Sequence, residues 1–445
     1  MSRLTAELGD RVVVEPHALE PLREDRSGHV SAGPPLALVR ALSVADVQAT
    51  LRIAHDSRTP VVTRGAGTGL AGGAVAGPGE IVLSTLAMDR VLEVDAEELV
   101  AVVEPGIVNG ELNRLLGEQG LWFAPDPASR AISTVGGNIA TNAGGLLCAK
   151  YGVTRDAVLG LSVVTADGRL LELGRRTVKG VTGLDVTALM VGSEGSLGVI
   201  VGATVRLRRR VAGTIATVSA AFPTVAAAAE AAAAIGASGV QPAVLELIGE
   251  TAMAGIAAHL SLEATGGSHL LVQTDGPAAA AEADAVLRIV TAAGGDAALT
   301  TDPEEGERLF AVRRAFHPAM AAKGTVLIED VCVPRRALPA MFDAIAEIEA
   351  RYGIEVPTVA HAGDGNLHPN FVFAGETVPA AVWAAADELF QAALRLGGTL
   401  TGEHGVGLLK RRWLGDELGD DQLELQRGIK AVFDPRGILN PGKVF

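Results

Sequence analysis

Thr63-Arg-Gly-Ala-Gly-Thr-Gly-Leu-Ala-Gly-Gly73, entered from the apolar Pro60-Val-Val62, decides how the first half of this chain is read. So many glycines let successive backbone N–H groups turn toward one phosphate. The run superficially resembles a Rossmann nucleotide loop, but no helical pattern starts after it. Residues 71–78 stay rich in glycine, and Ile81-Val-Leu83 reads as another strand. A Rossmann βαβ unit is therefore disfavoured. Two further segments join it: Pro125-Asp-Pro-Ala-Ser-Arg130 leading into Ser133-Thr-Val-Gly-Gly-Asn-Ile-Ala-Thr-Asn-Ala-Gly-Gly145, and Gly192-Ser-Glu-Gly-Ser-Leu-Gly198. Any one of them reads equally as a set of tight turns, but three before residue 200 outnumber what turns alone require.

The second half carries a different signal. His361-Ala-Gly-Asp-Gly-Asn-Leu-His368 and Gly402-Glu-His-Gly405 bring three histidines and a carboxylate into two glycine-rich segments. Imidazole and carboxylate without cysteine match a catalytic divalent-metal site with open positions. His361 and His368 are too far apart for successive helical turns. Thr358-Val-Ala360 and Asn370-Phe-Val-Phe373 read as strands with the Gly-Asp-Gly-Asn stretch turning between them, which sets the two histidines at adjacent strand ends. Glu403 and His404 are sequence neighbours pointing different ways, so one of the two is expected to bind metal. Satisfied polar groups in a tight turn are the alternative for each histidine taken singly.

Taken in order, Arg64 to Gly69, Pro125-Asp-Pro127, the Ser133-Thr-Val-Gly-Gly-Asn138 run, Gly192 to Gly198 and the ending Leu439-Asn-Pro-Gly-Lys443 resemble the FAD-linked 2-hydroxyacid dehydrogenases. These are the D-lactate, glycolate and D-2-hydroxyglutarate dehydrogenases of the vanillyl-alcohol-oxidase-type flavoproteins. The likeness runs from about residue 35 to the end of the chain. It implies an α+β protein with a two-subdomain FAD-binding domain (PCMH type) over residues 1–210. A cap domain with an antiparallel sheet and the metal loop follows over 211–400, and a C-terminal helical segment, 401–445, returns to the FAD site. By resemblance, Arg64, Gly65, Ala66, Gly67, Thr68, Gly69 and Leu70 line the pyrophosphate. Pro125, Ser133, Thr134, Gly137, Asn138, Thr141 and Ala143 surround the flavin, with Glu194, Gly195, Ile200 and Asn440 completing the cofactor set. His361, His368 and Glu403 match the metal ligands and His404 the catalytic base, while Arg313 and Asn370 match substrate-binding positions. The metal is expected to be zinc or another divalent transition metal.

The chemistry needs those residue types. Oxidising an α-hydroxy acid removes the hydroxyl proton while a hydride leaves the α-carbon, which calls for a base, an electrophile on the hydroxyl and a carboxylate anchor. Arginine suits the anchor because it is permanently charged and bidentate. Read without the resemblance, Arg313 is as readily a solvated residue in the charged stretch 304–321. The first glycine segment has no histidine to tether FAD, so binding is expected to be non-covalent. Ile328 stands where the hydroxyglutarate enzymes place a lysine, which favours a monocarboxylate substrate. His317, one turn beyond Arg313, is the one residue placed to act as a second cation. A zinc metallohydrolase and a non-catalytic nucleotide-binding subunit are the rival readings.

Composition sets outer bounds. A 445-residue chain that is 48% hydrophobic is long enough for two domains, and a net charge of −15 excludes nucleic acid as a favoured partner. Cys148 and Cys332 are the only cysteines, too few for an iron–sulfur motif, so electrons must leave to an external acceptor: a quinone, a cytochrome or an electron-transfer flavoprotein. No eighteen-residue apolar run occurs. A cytoplasmic homodimer is expected; Lys410-Arg-Arg412 reads as a solvated helix start rather than a membrane anchor, at which a quinone-reducing enzyme could dock peripherally on the inner face of the membrane. Local patterns predict a helix over 43–56 with a Ser43 cap, strands near 90–95, 99–104, 158–165 and 170–173, and a helix near 108–119. Alternating strands and alanine-rich helices follow from 214, with the helices on one face of the sheet.

Overall fold

The computed structural model describes residues 1–177, 179–263 and 266–445, and the chain divides into two compact units. The first comprises Met1–Gly145, Gly152–Arg210 and Glu403–Phe445; the second comprises Leu146–Tyr151 and Val211–Gly402. The C-terminal segment groups with the first unit, and six residues that follow the Ser133–Gly145 segment group with the second. Leu146 and Leu147 pack there against Val244, Leu271 and Phe310, and that apolar burial is what draws the short strap over.

Two sheets build the first unit. One orders Val12–Val13, Ala37–Arg40, Ile81–Ser84 and Val61–Arg64, with the last three mutually parallel. The other is antiparallel, ordering Val91–Asp95, Val100–Val103, Val199–Arg206, Val158–Val164 and Leu170–Gly174. Ser43 caps the helix Val44–Ser57 by accepting from the Asp46 amide, as the sequence predicts, and Val47, Leu51 and Ala54 put its apolar stripe into the core. The second glycine segment is not a chain of turns. It becomes the helix Val135–Thr141 because Thr134 caps Gly137 N at 3.2 Å and Val135 and Ile139 are buried.

An antiparallel sheet dominates the second unit. Its strands run in the order Asp296–Thr300, Ala216–Phe222, Ser268–Thr274, Val244–Ile248, Thr358–His361, Asn366–Phe373 and Thr325–Ile328, with Val331–Cys332 also paired to Asn366–Phe373. Register defines its faces, because residues two apart and residues directly paired share a side. One side carries Ile248 and Val359, packed with Ile256, Phe316 and Met320 from the helices Glu250–Leu260 and Phe316–Lys323. The opposite parity, Leu245, Leu247, Leu270, Val272, Leu367 and Phe371, is buried as well. Both faces are therefore covered, where the sequence led to helices on one.

Candidate functional site

The face shared by Ile248 and Val359 also holds several of the candidate site residues. Val359 pairs with His368, and His361 lies two residues beyond Val359, so both histidines project from one side of the hairpin. Their ring centroids are 4.9 Å apart with planes at 81°. The hairpin turns through Asp364 and Gly365 as expected, but the second strand begins at Asn366. His368 is therefore inside a strand rather than at its end. Two residues on, Asn370 faces the same way, fully buried. Its Nδ2 donates to His368 O at 2.8 Å and its Oδ1 has no hydrogen-bond partner. Ile328 is the register partner of Asn370, so the alkyl group belongs to this face.

Glu246 completes the row and was missed from the sequence. It is the register partner of His361 in the strand Val244–Ile248 and is wholly buried. Oε1 lies 2.6 Å from His361 Nδ1, and Oε2 accepts from Arg313 Nε at 2.7 Å. A carboxylate flanked by apolar Val-Leu and Leu-Ile was the available signal, since an ionised side chain in a buried strand requires partners. Arg313 ends the helix Pro303–Arg314, with 11% of its side chain exposed. His317 follows a break at Ala315, on the next helix, and is exposed. It is thus more open to solvent than Arg313.

Asp330 fixes the neighbouring segment: its carboxylate accepts from Thr401 Oγ1 at 3.0 Å and from Gly402 N at 2.6 Å. Gly402 gives Asn366 its place, because a Cβ there would stand 2.3 Å from Asn366 Oδ1 and displace that side chain. The next residue is Glu403. Candidate ligand atoms of His361, His368 and Glu403 all lie within 4.8 Å of one another. Two imidazoles and one carboxylate are a donor set that a divalent transition ion takes, and the Glu246 carboxylate behind His361 Nδ1 stands where such sites usually place one. His404 Nε2 is 3.9 Å from Glu403 Oε1.

The first unit brings the glycine segments together. Gly65 packs so closely on the second segment that a Cβ would meet Thr134 Oγ1 at 2.5 Å. Thr63 Oγ1 and Ser133 Oγ are buried beside this junction with no hydrogen-bond partner. Unsatisfied hydroxyls in a cradle of glycine, Ser, Thr and Asn fit a cofactor rich in acceptors, as the pyrophosphate and isoalloxazine of FAD are. Arg64 Nη1 donates to Ala74 O at 2.7 Å and its guanidinium occupies the space under Gly67, bracing the loop Gly65-Ala66-Gly67-Thr68-Gly69-Leu70 from within. Asn138 Oδ1 accepts from the buried Asn109, which also donates to Pro125 O. Thr141 Oγ1 donates to Gly137 O, and Ala143 O accepts from Thr154 Oγ1. Ile200 and Gly195 lie at the start of the strand Val199–Arg206 and just before it. Asn440 ties the C-terminal segment to both glycine loops, donating from Nδ2 to Gly73 O at 3.0 Å and to Glu194 O at 2.7 Å.

Glu194 does something the sequence did not disclose. Its carboxylate accepts from Val406 N at 2.7 Å and Gly407 N at 2.9 Å, clamping the backbone that follows His404. Gly405, at φ +86°, leaves the space this needs, since a Cβ would be 2.9 Å from Oε1. Burial pushes the Glu194 carboxyl up to about 7, against the two amides that favour its charged form. A carboxyl raised in the folded state contributes stability below its unfolded value of 4.5, and that contribution is lost as pH rises through about 7. E194Q, neutral throughout, should therefore gain in Tm relative to wild type as pH rises across this window. A Tm difference that stays flat from about pH 4.5 to about pH 8 would contradict it.

Comparison with known proteins agrees with this geometry. Residues 213–444 match the family model "FAD linked oxidases, C-terminal domain" and residues 35–174 match "FAD binding domain". The chain is 39% identical to glycolate oxidase subunit GlcD of Bacillus subtilis (strain 168), over 92% of this chain and 89% of that protein. It is 36% identical to a D-lactate dehydrogenase of Archaeoglobus fulgidus, over 92% and 90% of the two chains. With a D-2-hydroxyglutarate dehydrogenase of Xanthomonas citri pv. viticola it shares 35% identity over 98% and 94%. Among solved structures, p-cresol methylhydroxylase superposes with a TM-score of 0.79 at 19% identity over 100% of this chain and 95% of that one, which establishes the fold. The first two glycine segments, which lack a Rossmann helix, thus lie within an FAD-binding domain of a vanillyl-alcohol-oxidase-type fold, and the chain belongs to the FAD-linked oxidases, as an FAD-dependent oxidoreductase.

Proposed function

We propose that the protein oxidises a D-2-hydroxy monocarboxylate of the D-lactate or glycolate type to the 2-oxo acid, with non-covalent FAD, a divalent metal at His361, His368 and Glu403, and an external electron acceptor. One observation carries this reading. A single sheet face aligns two imidazoles, a buried amide with a free acceptor and, through Glu246, a largely covered arginine. Relatives named for glycolate, D-lactate and D-2-hydroxyglutarate support the 2-hydroxyacid class. The metallohydrolase alternative is set aside, because the chain matches an FAD-binding domain and its relatives are named for 2-hydroxyacid oxidation.

When bound, FAD supplies the two-electron acceptor and the metal a Lewis acid for the substrate hydroxyl. The protein's own groups do the rest. Arg313, held at Nε by Glu246, keeps its terminal nitrogens for the substrate carboxylate. His404 takes the hydroxyl proton as the α-carbon gives up its hydride. Asn370 Oδ1 is an acceptor on the same face.

Substrate size follows from Ile328. A second buried carboxylate needs a cation or hydrogen-bond donors, because leaving it unpaired costs several kcal/mol. Ile328 presents an alkyl group beside Asn370 and is followed by the buried acids Glu329 and Asp330, which leaves exposed His317 as the candidate second cation. D-2-hydroxyglutarate is therefore expected to be at least about tenfold worse in kcat/KM than D-lactate or glycolate, about 1.4 kcal/mol. Steady-state rates with a dye acceptor test this, and a preference for the dicarboxylate would overturn it in favour of the D-2-hydroxyglutarate reading. Among the described residues no helix is long and apolar enough to cross a membrane. We also propose that the acceptor is a quinone, cytochrome or electron-transfer flavoprotein, reached by a homodimer that docks peripherally.

A further inference from the structure

We infer that Glu246 is a positioning residue that couples the metal ligand His361 to the substrate anchor Arg313, so that charge at the anchor sets how strongly the protein holds its metal. The inference rests on the metal assignment above and deepens it. Three facts carry it. Glu246 is wholly buried, so solvent does not screen its charge. Each of its oxygens has a different cationic or proton-donating partner, His361 Nδ1 at 2.6 Å on one and Arg313 Nε at 2.7 Å on the other. Both bonds are geometrically enforced, the first by the register pairing of Glu246 with His361 across adjacent strands and the second by the end of the helix Pro303–Arg314.

One carboxylate shared between two donors gives each less than its full charge. Accepting from Nδ1–H fixes the His361 tautomer with Nε2 as the electron-pair donor, and more negative charge at Oε1 makes Nε2 a stronger ligand. Arg313 draws that charge toward Oε2. Removing the guanidinium should return it to His361 and tighten the metal, while neutralising Glu246 should loosen the metal and leave Arg313 without its brace. A substrate carboxylate that engages Arg313 then acts in the same sense as partial removal of the guanidinium charge. Substrate arrival thereby strengthens the metal site, even where substrate and metal do not touch.

The test is a double-mutant cycle read by zinc affinity, measured on the FAD-containing protein by competition with a chromogenic chelator. E246Q should weaken zinc about 10–100-fold, the usual effect of removing a carboxylate behind a ligating histidine. R313M should tighten zinc several-fold in the Glu246 background and change it less than about twofold in the E246Q background. Direct repulsion between Arg313 and the ion would act equally in both backgrounds, and that result, or an unchanged affinity in E246Q, overturns the coupling. R313M retains Glu246 and gives a second measurement should E246Q fail to fold: in 15N-histidine-labelled protein, the His361 Nδ1 proton should move downfield relative to wild type, and an unmoved resonance overturns the proposal. The metal reading fails separately. If wild type takes up no zinc, or H361A retains it with unchanged affinity, the assignment of His361 falls and the coupling with it; if zinc binds at His361 and the cycle is flat, only the coupling falls.

Discussion

Asparagine in place of His404 is expected to slow flavin reduction about 10²–10⁴-fold, the span that a positioned general base contributes, while metal content changes little. Asparagine approximates the reach of the imidazole but cannot accept a proton at neutral pH. Backbone support for the position is independent of the ring, since Glu194 holds the Val406 and Gly407 amides. Stopped-flow bleaching of the flavin by D-lactate separates proton removal from acceptor turnover, and metal analysis of the same preparation supplies the control. Should H404N lose its metal and E403Q keep it, the roles of these neighbours are reversed. Their side chains approach to 3.9 Å, close enough that only function distinguishes them.

Stripping the metal is the second large effect. Chelation should cut turnover by about 10²-fold or more, because Lewis-acid stabilisation of a developing alkoxide is worth several kcal/mol and each 1.36 kcal/mol is tenfold. FAD should stay bound through this treatment. The segments proposed to cradle it are Thr63–Gly73, Ser133–Ala143, Gly192–Gly198 and Asn440, whereas the proposed histidine ligands are on the hairpin Thr358–Phe373. Added zinc should then restore activity without added flavin. Full activity in a preparation shown to be metal-free would remove the metal from the mechanism, leaving His361 and His368 as hydrogen-bonding groups.

Local rules made part of this protein legible. The Ser43 cap and the 3.6-residue stripe behind it give the helix Val44–Ser57, since capping and amphipathicity act within a few residues. The hairpin carrying His361 and His368 follows from two β-rich runs around a Gly-Asp-Gly turn. Gly402 and Gly405 were readable as positions of close approach, and Asn366 Oδ1 and Glu194 Oε1 prove to be what approaches them.

Ser133 to Gly145 reads from sequence equally as a set of tight turns, yet the Thr134 cap and the burial of Val135 and Ile139 make a helix of Val135–Thr141 despite its glycines. Packing, which sums over distant residues, there overrides a preference of about 1 kcal/mol per glycine.

By itself, then, the sequence determined the chemistry-bearing residue types and their local frames: glycine segments without a Rossmann helix, two histidines on one hairpin, and a glycine-flanked Glu403-His404 pair. Only the tertiary structure decided who supports them. Strand register set Glu246 opposite His361 across 115 residues of chain, and the path of the C-terminal segment brought the Val406 and Gly407 amides to Glu194 across more than 200. Such partners are fixed by sheet order and burial rather than by spacing. A buried carboxylate must find donors wherever the fold brings them, and nothing in the neighbouring residues states which donors those will be.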